Sequence, residues 1–160
     1  MKKKDLLKFK NFLFKKIIKK IKKENNKIIS SKIIFSSKSK KQIDPVTKFD
    51  LSVEKIIRNE IKKKFPDHNI IGEEFDLRNG GSKFTWIIDP IDGTKALIAG
   101  QPTWSNLISL YYNNEPVFGM ANFPVLNKIY YGDRFGSYLI EKKKTRIQSL
   151  KLKFLKNAKL

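Results

Sequence analysis

Two segments near the start of the chain repeat apolar residues at helical spacing. In the first, five apolar residues roughly share one face: Leu6, Phe9, Leu13, Ile17 and Ile21. This face predicts a helix over about Lys4 to Lys23. In the second, the apolar positions are Val53, Ile56, Ile57 and Ile61. They predict a helix from Leu51 to Lys64, begun by a threonine or aspartate of the preceding segment.

The next part of the chain alternates short apolar runs with turn-forming residues, which is typical of strands and hairpins. The predicted strands are Asn69–Ile71, Phe84–Asp89, Leu107–Tyr112, Val117–Phe123 and Lys128–Tyr131, and a further hairpin is expected from Gly136–Glu141 and Thr145–Ser149. The remaining segments are predicted as a loop or hairpin over Ser30 to Lys41 and a mobile loop over Asp76 to Ser82. Two helices on a mostly antiparallel sheet indicate an α+β fold.

Two aspartates end the apolar run that leads to Trp86-Ile87-Ile88. Asp89 and Asp92 stand three positions apart and are followed by Gly93-Thr94. Carboxylate and backbone carbonyl oxygens are the ligands that Mg²⁺ prefers, and a helix that opens at Gly93-Thr94 would turn its free N–H groups toward an anion. Together these features indicate chemistry on a phosphate. The same string is also a good turn, because Asp, Pro and Gly all favour turns.

Two upstream segments bear on that choice. Ile70-Ile71 runs into Gly72-Glu73-Glu74, where a strand end with paired glutamates can supply a third carboxylate to a metal cluster, or can form a solvated loop. Asp44-Pro45-Val46-Thr47 leads to Asp50 just before the second helix, and an ordinary N-cap explains this segment equally well.

In this order and spacing, the three segments resemble the inositol monophosphatase superfamily of Mg²⁺-dependent phosphatases. The family pattern is Pro-Val-Thr-x-x-Asp, then Gly-Glu-Glu, then Trp-x-x-Asp-Pro-x-Asp-Gly-Thr, and all three elements are present. The resemblance extends from about Ile43 to Gly132. It implies the first half of the inositol monophosphatase (sugar phosphatase) fold, with an N-terminal helix pair on a mostly antiparallel sheet.

The resemblance also implies a role for each site residue. The implied metal ligands are Glu73, Asp89, Asp92 and the backbone carbonyl of Ile91. About two to three Mg²⁺ ions would bridge the phosphate and a water molecule. Asp50 and Thr94 would be catalytic and orient that water, while the N–H groups of Gly93 and Thr94 would hold the phosphate. Glu74 and Lys95 would lie just outside these contacts.

The residues that follow Thr94 suggest a branch of the family. Lys95-Ala96 and the later Gly100-Gln101-Pro102-Thr103-Trp104 look more like the histidinol-phosphatase branch than like inositol-type members. The implied substrate is a small phosphate monoester, preferably histidinol phosphate of histidine biosynthesis. An inositol-1-monophosphatase and a bisphosphate nucleotidase are the alternatives within the superfamily.

The end of the chain departs from the family pattern. Members carry a later Trp-Asp-x-Ala element whose aspartate binds the second metal, and nothing after Gly132 matches it. We therefore expect residues 1–160 to form a single domain, the N-terminal portion of a truncated or split phosphatase that lacks the C-terminal α/β part. A homodimer or the missing half is the expected partner. A non-catalytic remnant that binds anions or a partner is the alternative from another functional class.

Charge and composition change this picture little. The net charge is +20, yet the lysine excess is spread along the whole chain, so nucleic acid is an unlikely partner. No apolar run approaches the roughly 20 residues of a membrane span, and the basic N-terminus lacks the apolar core of a secretory signal. The chain is thus expected to be cytoplasmic, with no membrane span. The single histidine, His68, is expected in a turn.

Overall fold

The helices lie at the start of the chain and the main sheet follows them. In this computed structural model the described residues are 3–31, 35–37 and 45–149. The helices are α1 (Lys3–Phe12), α2 (Lys19–Ile29), α3 (Lys48–Lys64) and the short α4 (Thr94–Ile98), and a π-helical segment (Leu13–Ile18) joins α1 to α2. No helix in these ranges is both long and apolar enough to cross a membrane.

The strands form two sheets. The first is a small antiparallel pair of β1 (Phe35–Ser37) and β2 (Pro45–Thr47). The second has seven strands in chain order: β3 (Asn69–Gly72), β4 (Phe84–Asp92), β5 (Ser105–Tyr112), β6 (Glu115–Phe123), β7 (Lys128–Asp133), β8 (Gly136–Ile140) and β9 (Lys144–Ile147). Among the described strands of this sheet, β3 and β4 are the one parallel pair, and every later pairing is antiparallel. The predicted α+β architecture is thus confirmed.

The core lies between the helices and one face of this sheet. Successive strand residues point to opposite faces, and the register brings buried apolar residues of neighbouring strands side by side: Ile70, Trp86, Leu110, Phe118, Ile88, Ile108, Met120 and Tyr131. The helices cover them with the predicted apolar faces, since Leu6, Leu13 and Ile17 are all buried. The sheet is therefore a rigid platform whose strand ends position the loops.

Several predicted boundaries move in the structure. The first helical stretch continues beyond Lys23 to Ile29, where Ile28 is buried against the core. The second helix begins at Lys48 rather than Leu51, because Thr47 caps it and accepts a hydrogen bond from the Phe49 N–H at 3.1 Å. The segment predicted as a loop or hairpin contains β1, while much of it lies outside the described residues.

The loop expected to be mobile, Asp76 to Ser82, is tied to the sheet. Arg78 exchanges two backbone hydrogen bonds of 2.9 Å with Ile70. Its guanidinium donates to the carbonyl oxygens of His68 and Pro66. These bonds cover the outer edge of β3 and hold the loop against the end of α3.

His68 follows the turn at Pro66-Asp67 but is not a solvated turn residue. It is only 5% exposed, and its ring stacks with those of Phe65 and Phe84 at centroid distances of 4.6 and 4.8 Å. The Trp86 indole N–H donates to its Nδ1 atom at 3.0 Å, so that nitrogen carries no proton. Burial lowers the pKa of His68, and the charges of Lys8 and Arg78 lower it further against the opposing effect of Asp67.

Candidate active site

The candidate site forms where β4 leaves the regular sheet. Asp89 pairs with Leu107 and Asp92 with Ser105, so the register shifts between the two aspartates. Three steps along β4 match two along β5, which makes a β-bulge, a feature that redirects side chains at strand ends. The predicted strand end at Asp89 is therefore wrong by three residues: β4 continues through the bulge to Asp92. The bulge places both carboxylates at the same end of the strand.

The buried amide side chain of Asn106 stabilises this bulge. Asn106 is fully buried, and its Nδ2 group donates to the Pro90 carbonyl at 2.7 Å. Its Oδ1 atom accepts from Asn25 at 2.9 Å and from Asn122 at 2.7 Å. The Pro90 carbonyl, which the bulge removes from the regular ladder, thus has a partner. Sequence reasoning missed this network, whose members come from α2, β5 and β6.

Asp89 has the most perturbed environment of the site. Its Oδ1 atom is buried and has no hydrogen-bond partner among the described residues. The pKa of Asp89 is raised to about 7, first by burial and then by the charge of Glu73, a hydrogen bond shared with Glu73 and the charge of Asp92. Glu73, sixteen positions before Asp89 in the sequence, is thus as close to it as the neighbouring Asp92, and the three acids oppose each other's ionisation.

Asp50 and Thr94 meet beside these acids. Asp50 Oδ2 accepts from the Thr47 N–H at 2.8 Å and from the Thr47 hydroxyl at 2.6 Å, so it completes the capping box of α3. Its other oxygen, Oδ1, lies 3.5 Å from the Thr94 hydroxyl. That hydroxyl is closer to the Ile91 carbonyl oxygen, at 3.0 Å. The N-cap role and a place in the site therefore coexist in Asp50.

Gly93 turns the chain from β4 into α4. Its φ of 83° lies in the left-handed region, which favours glycine because other residues are strained there. This turn brings Thr94 close to Ile91, and the Thr94 hydroxyl donates a hydrogen bond to the Ile91 carbonyl oxygen. Asp92 is exposed, and the Ser105 hydroxyl donates to its Oδ2 at 3.3 Å.

The Gly-Glu-Glu segment approaches from β3. Glu73 is exposed at the end of this strand yet interacts with Asp89. The backbone N–H of Glu74 donates to Glu54 Oε2 at 2.8 Å, so this loop is attached to α3. Glu54 is fully buried and paired with Arg58. Sequence reasoning missed both residues, although two charges four positions apart on the apolar side of a helix are a detectable signal.

The structure brings most of the predicted site residues into one region. Glu73, Asp89 and Asp92 interact electrostatically, and Thr94 links the Ile91 carbonyl to Asp50. Lys95 is exposed in the first turn of α4. Within the described ranges, however, no three acidic, histidine or cysteine side chains are already converged as a preformed metal site.

The chain and its fold match known proteins. A sequence model of the Inositol monophosphatase family matches residues 2–156. A histidinol-phosphatase of Chlorobaculum parvum is 43% identical over 96 residues, which are 60% of this chain and 37% of that protein. A fructose-1,6-bisphosphatase/inositol-1-monophosphatase of Aquifex aeolicus is 38% identical over 97 residues, again 60% and 37% of the two chains.

Solved structures match a larger part of the chain. An IMPase of Thermotoga maritima superposes with a TM-score of 0.68 at 30% identity, over 87% of this chain and 52% of that one. The chain thus corresponds to about half of this structure and to little more than a third of the two curated relatives. The residues that the family model matches include the bulge, the Gly-Glu-Glu segment and the capped helix described above.

Proposed function

The chain belongs to the inositol monophosphatase family, and from this membership we propose that it forms the N-terminal part of a metal-dependent phosphatase site that hydrolyses a small phosphate monoester. The observation that carries the proposal is the environment of Asp89. A buried carboxylate oxygen without a partner, next to two further acids, is costly unless a proton or a cation neutralises it, and a metal cation can neutralise all three acids together.

The residues present fit a hard divalent cation. Glu73, Asp89, Asp92 and the Ile91 carbonyl offer oxygen ligands, which suit Mg²⁺ better than softer metals. We propose Mg²⁺ as the ion and these four residues as its ligands. When bound, Mg²⁺ neutralises phosphate charge and acidifies water in phosphoryl transfer.

The neighbouring residues have complementary tasks in this proposal. Thr94 and Asp50 orient the attacking water and help to deprotonate it: the Thr94 hydroxyl would take the proton of the water as it passes its own to Asp50 Oδ1, which lies 3.5 Å away. The capping box fixes Asp50 in place for this task. The Gly93 and Thr94 N–H groups bind the phosphate, and Glu74 and Lys95 support the site from its rim.

The preferred substrate in our proposal is histidinol phosphate. It rests on the Lys95-Ala96 and Gly100–Trp104 pattern and on similarity to the histidinol-phosphatase of Chlorobaculum parvum. Inositol 1-phosphate is the second candidate, since the Aquifex aeolicus relative is named as an inositol-1-monophosphatase. Phosphate release from each compound under identical conditions ranks the two.

A non-catalytic binding role is the competing proposal. The observation in its favour is that the described acidic side chains are not converged into a preformed metal site. An anion-binding protein with a charge of +20 would need no such convergence. The two proposals differ in whether Mg²⁺ binds through Asp89.

Calorimetric titration of the chain with Mg²⁺ therefore tests the function first. We expect saturable binding that Asp89→Asn weakens more than about tenfold, because losing a ligand costs at least as much as losing a residue that supports one. Glu115→Gln is the matched control, since Glu115 is exposed at the far end of β5 and β6. Equal Mg²⁺ binding by the Asp89→Asn protein, or none by the wild type, would leave the non-catalytic role as the better proposal.

A further inference from the structure

A buried ion pair on α3 lies behind the Gly-Glu-Glu segment. Arg58 Nε donates to Glu54 Oε1 at 2.6 Å, and the two side chains are 7% and 0% exposed. Removing two charges from water is costly, and such a pair persists only when its other donors and acceptors are also satisfied. The remaining contacts of the pair therefore indicate what it does.

The other hydrogen bonds of the pair all reach one short piece of backbone, and the Arg58 guanidinium also lies over the Phe75 ring, 5.7 Å from its centroid. Glu54 Oε2 accepts the Glu74 N–H at 2.8 Å. Arg58 donates from Nη1 to the Asp76 carbonyl at 3.0 Å and from Nη2 to the Phe75 carbonyl at 2.7 Å. Three charge-assisted hydrogen bonds thus fix the three residues that follow Glu73.

The same pair lies in close contact with Gly72, the residue that precedes Glu73. A Cβ atom at Gly72 would lie 1.9 Å from Glu54 Oε1 and 2.8 Å from Arg58 Nη2. Gly72 has no positive φ, so glycine is required there for space rather than for conformation. The carboxylate of Glu54 lies against the backbone on one side of Glu73, and the hydrogen bonds made by Glu54 and Arg58 lie on the other side.

Glu73 itself is exposed and reaches Asp89 from this anchored backbone. An exposed glutamate on a free loop would lose backbone and side-chain freedom when it bound a cation. An anchored backbone has already lost the first part, so binding is less opposed by entropy. The buried pair is thus placed to affect the cation site without touching it.

We propose that Glu54 and Arg58 are positioning residues that hold the Gly72–Asp76 backbone so that Glu73 meets Asp89, and that they set the Mg²⁺ affinity of the site. This inference rests on the proposed function, because it assumes that Glu73 and Asp89 bind a metal. It adds two residues from another element, whose hydrogen bonds to the loop all go to its main chain.

The test compares Mg²⁺ affinity and loop protection in conservative variants. Arg58→Lys keeps the charge but loses the planar fork that reaches two carbonyls. Glu54→Gln keeps the shape but weakens the bond to the Glu74 N–H. Lys55→Met is the control, because Lys55 is exposed between them on the same helix. A double variant, Glu54→Gln with Arg58→Met, has no buried charge and is the form that stays folded if a single change does not.

We expect Arg58→Lys and Glu54→Gln to bind Mg²⁺ about 10- to 100-fold more weakly in calorimetric titration, the range typical of residues that support metal ligands. Amide hydrogen exchange at residues 74–76 should be faster in the metal-free variants. At saturating Mg²⁺ the turnover rate should return toward that of the wild type. Lys55→Met should change none of these quantities.

Two outcomes would overturn the inference separately from the function. Unchanged Mg²⁺ affinity with faster loop exchange would leave the pair a purely structural role. Unchanged exchange would show that the pair does not hold the loop. If the wild type bound no Mg²⁺, both the proposed function and this inference would fail. That result differs from the two outcomes above, in which the wild type binds Mg²⁺.

Discussion

Replacing Asn106 with alanine should be one of the most destabilising single changes near the site. Its amide connects Asn25, Asn122 and the Pro90 carbonyl through hydrogen bonds of 2.7 to 2.9 Å. All three side chains are at least nine-tenths buried. Alanine would leave two donors and one acceptor without their partner.

The expected magnitude follows from these three groups. A buried polar group that loses its partner costs about 1–3 kcal/mol. Asn25 and Asn122 also line a surface pocket of about 240 Å³, where water can replace the lost partner at reduced cost. The Pro90 carbonyl does not line that pocket. We therefore expect the free energy of unfolding to fall by about 3 kcal/mol, near the low end of the simple sum.

Urea unfolding followed by tryptophan fluorescence measures this loss, since Trp86 and Trp104 are both buried. Asn59→Ala is the matched control: Asn59 is exposed on α3, where alanine favours the helix. A loss below about 1 kcal/mol for Asn106→Ala, with an unchanged denaturant slope, would refute the hydrogen-bond reasoning. Because the amide also holds the bulge, Mg²⁺ affinity should fall in the same variant.

Two further predictions concern Gly72 and His68. Gly72→Ala should lower the free energy of unfolding by about 3 kcal/mol, because the new methyl group collides with a buried, hydrogen-bonded carboxylate. Gly119→Ala, where a Cβ meets nothing within 4 Å, should stay within about 0.5 kcal/mol in the same urea experiment, and equal losses would contradict the steric argument. The lowered pKa of His68 means that the unfolded chain takes up its proton first as the pH falls. Its contribution to stability should be complete above about pH 6.5 and decline below it by up to about 1.4 kcal/mol per pH unit. The difference in stability between the wild type and His68→Gln from pH 8 to 5 isolates this effect from Asp89, and a difference independent of pH would count against it.

The sequence predicted the sheet and both helices because their apolar faces are periodic. It placed the end of the first helix too early, since the last two turns, residues 24–29, are largely polar. Asn25 looks solvated there, and only its partner Asn106, 81 positions away, explains its burial. Side chains that pair across such distances leave no local pattern.

The site shows the same division between local and distant information. The aspartates of β4 and the Gly-Glu-Glu segment can be identified from the sequence, because carboxylates at strand ends by themselves indicate a metal site. The bulge cannot be predicted from the sequence, since it depends on the register in which β4 pairs with β5. Pro66-Asp67 is a turn signal that places His68 in a turn, but the rings of Phe65 and Phe84 and the indole of Trp86 enclose it.

The order of the strands also affects whether copies of the chain can associate edge to edge. An open sheet offers unpaired backbone groups at its outermost strands, which can template fibre-like stacking. The β3 edge is capped by the backbone bonds to Arg78. At the opposite edge of the described sheet, β9 exposes Lys144 and Arg146. Two copies that approached through β9 would bring charges of the same sign together. The resulting repulsion opposes edge-to-edge aggregation of the chain.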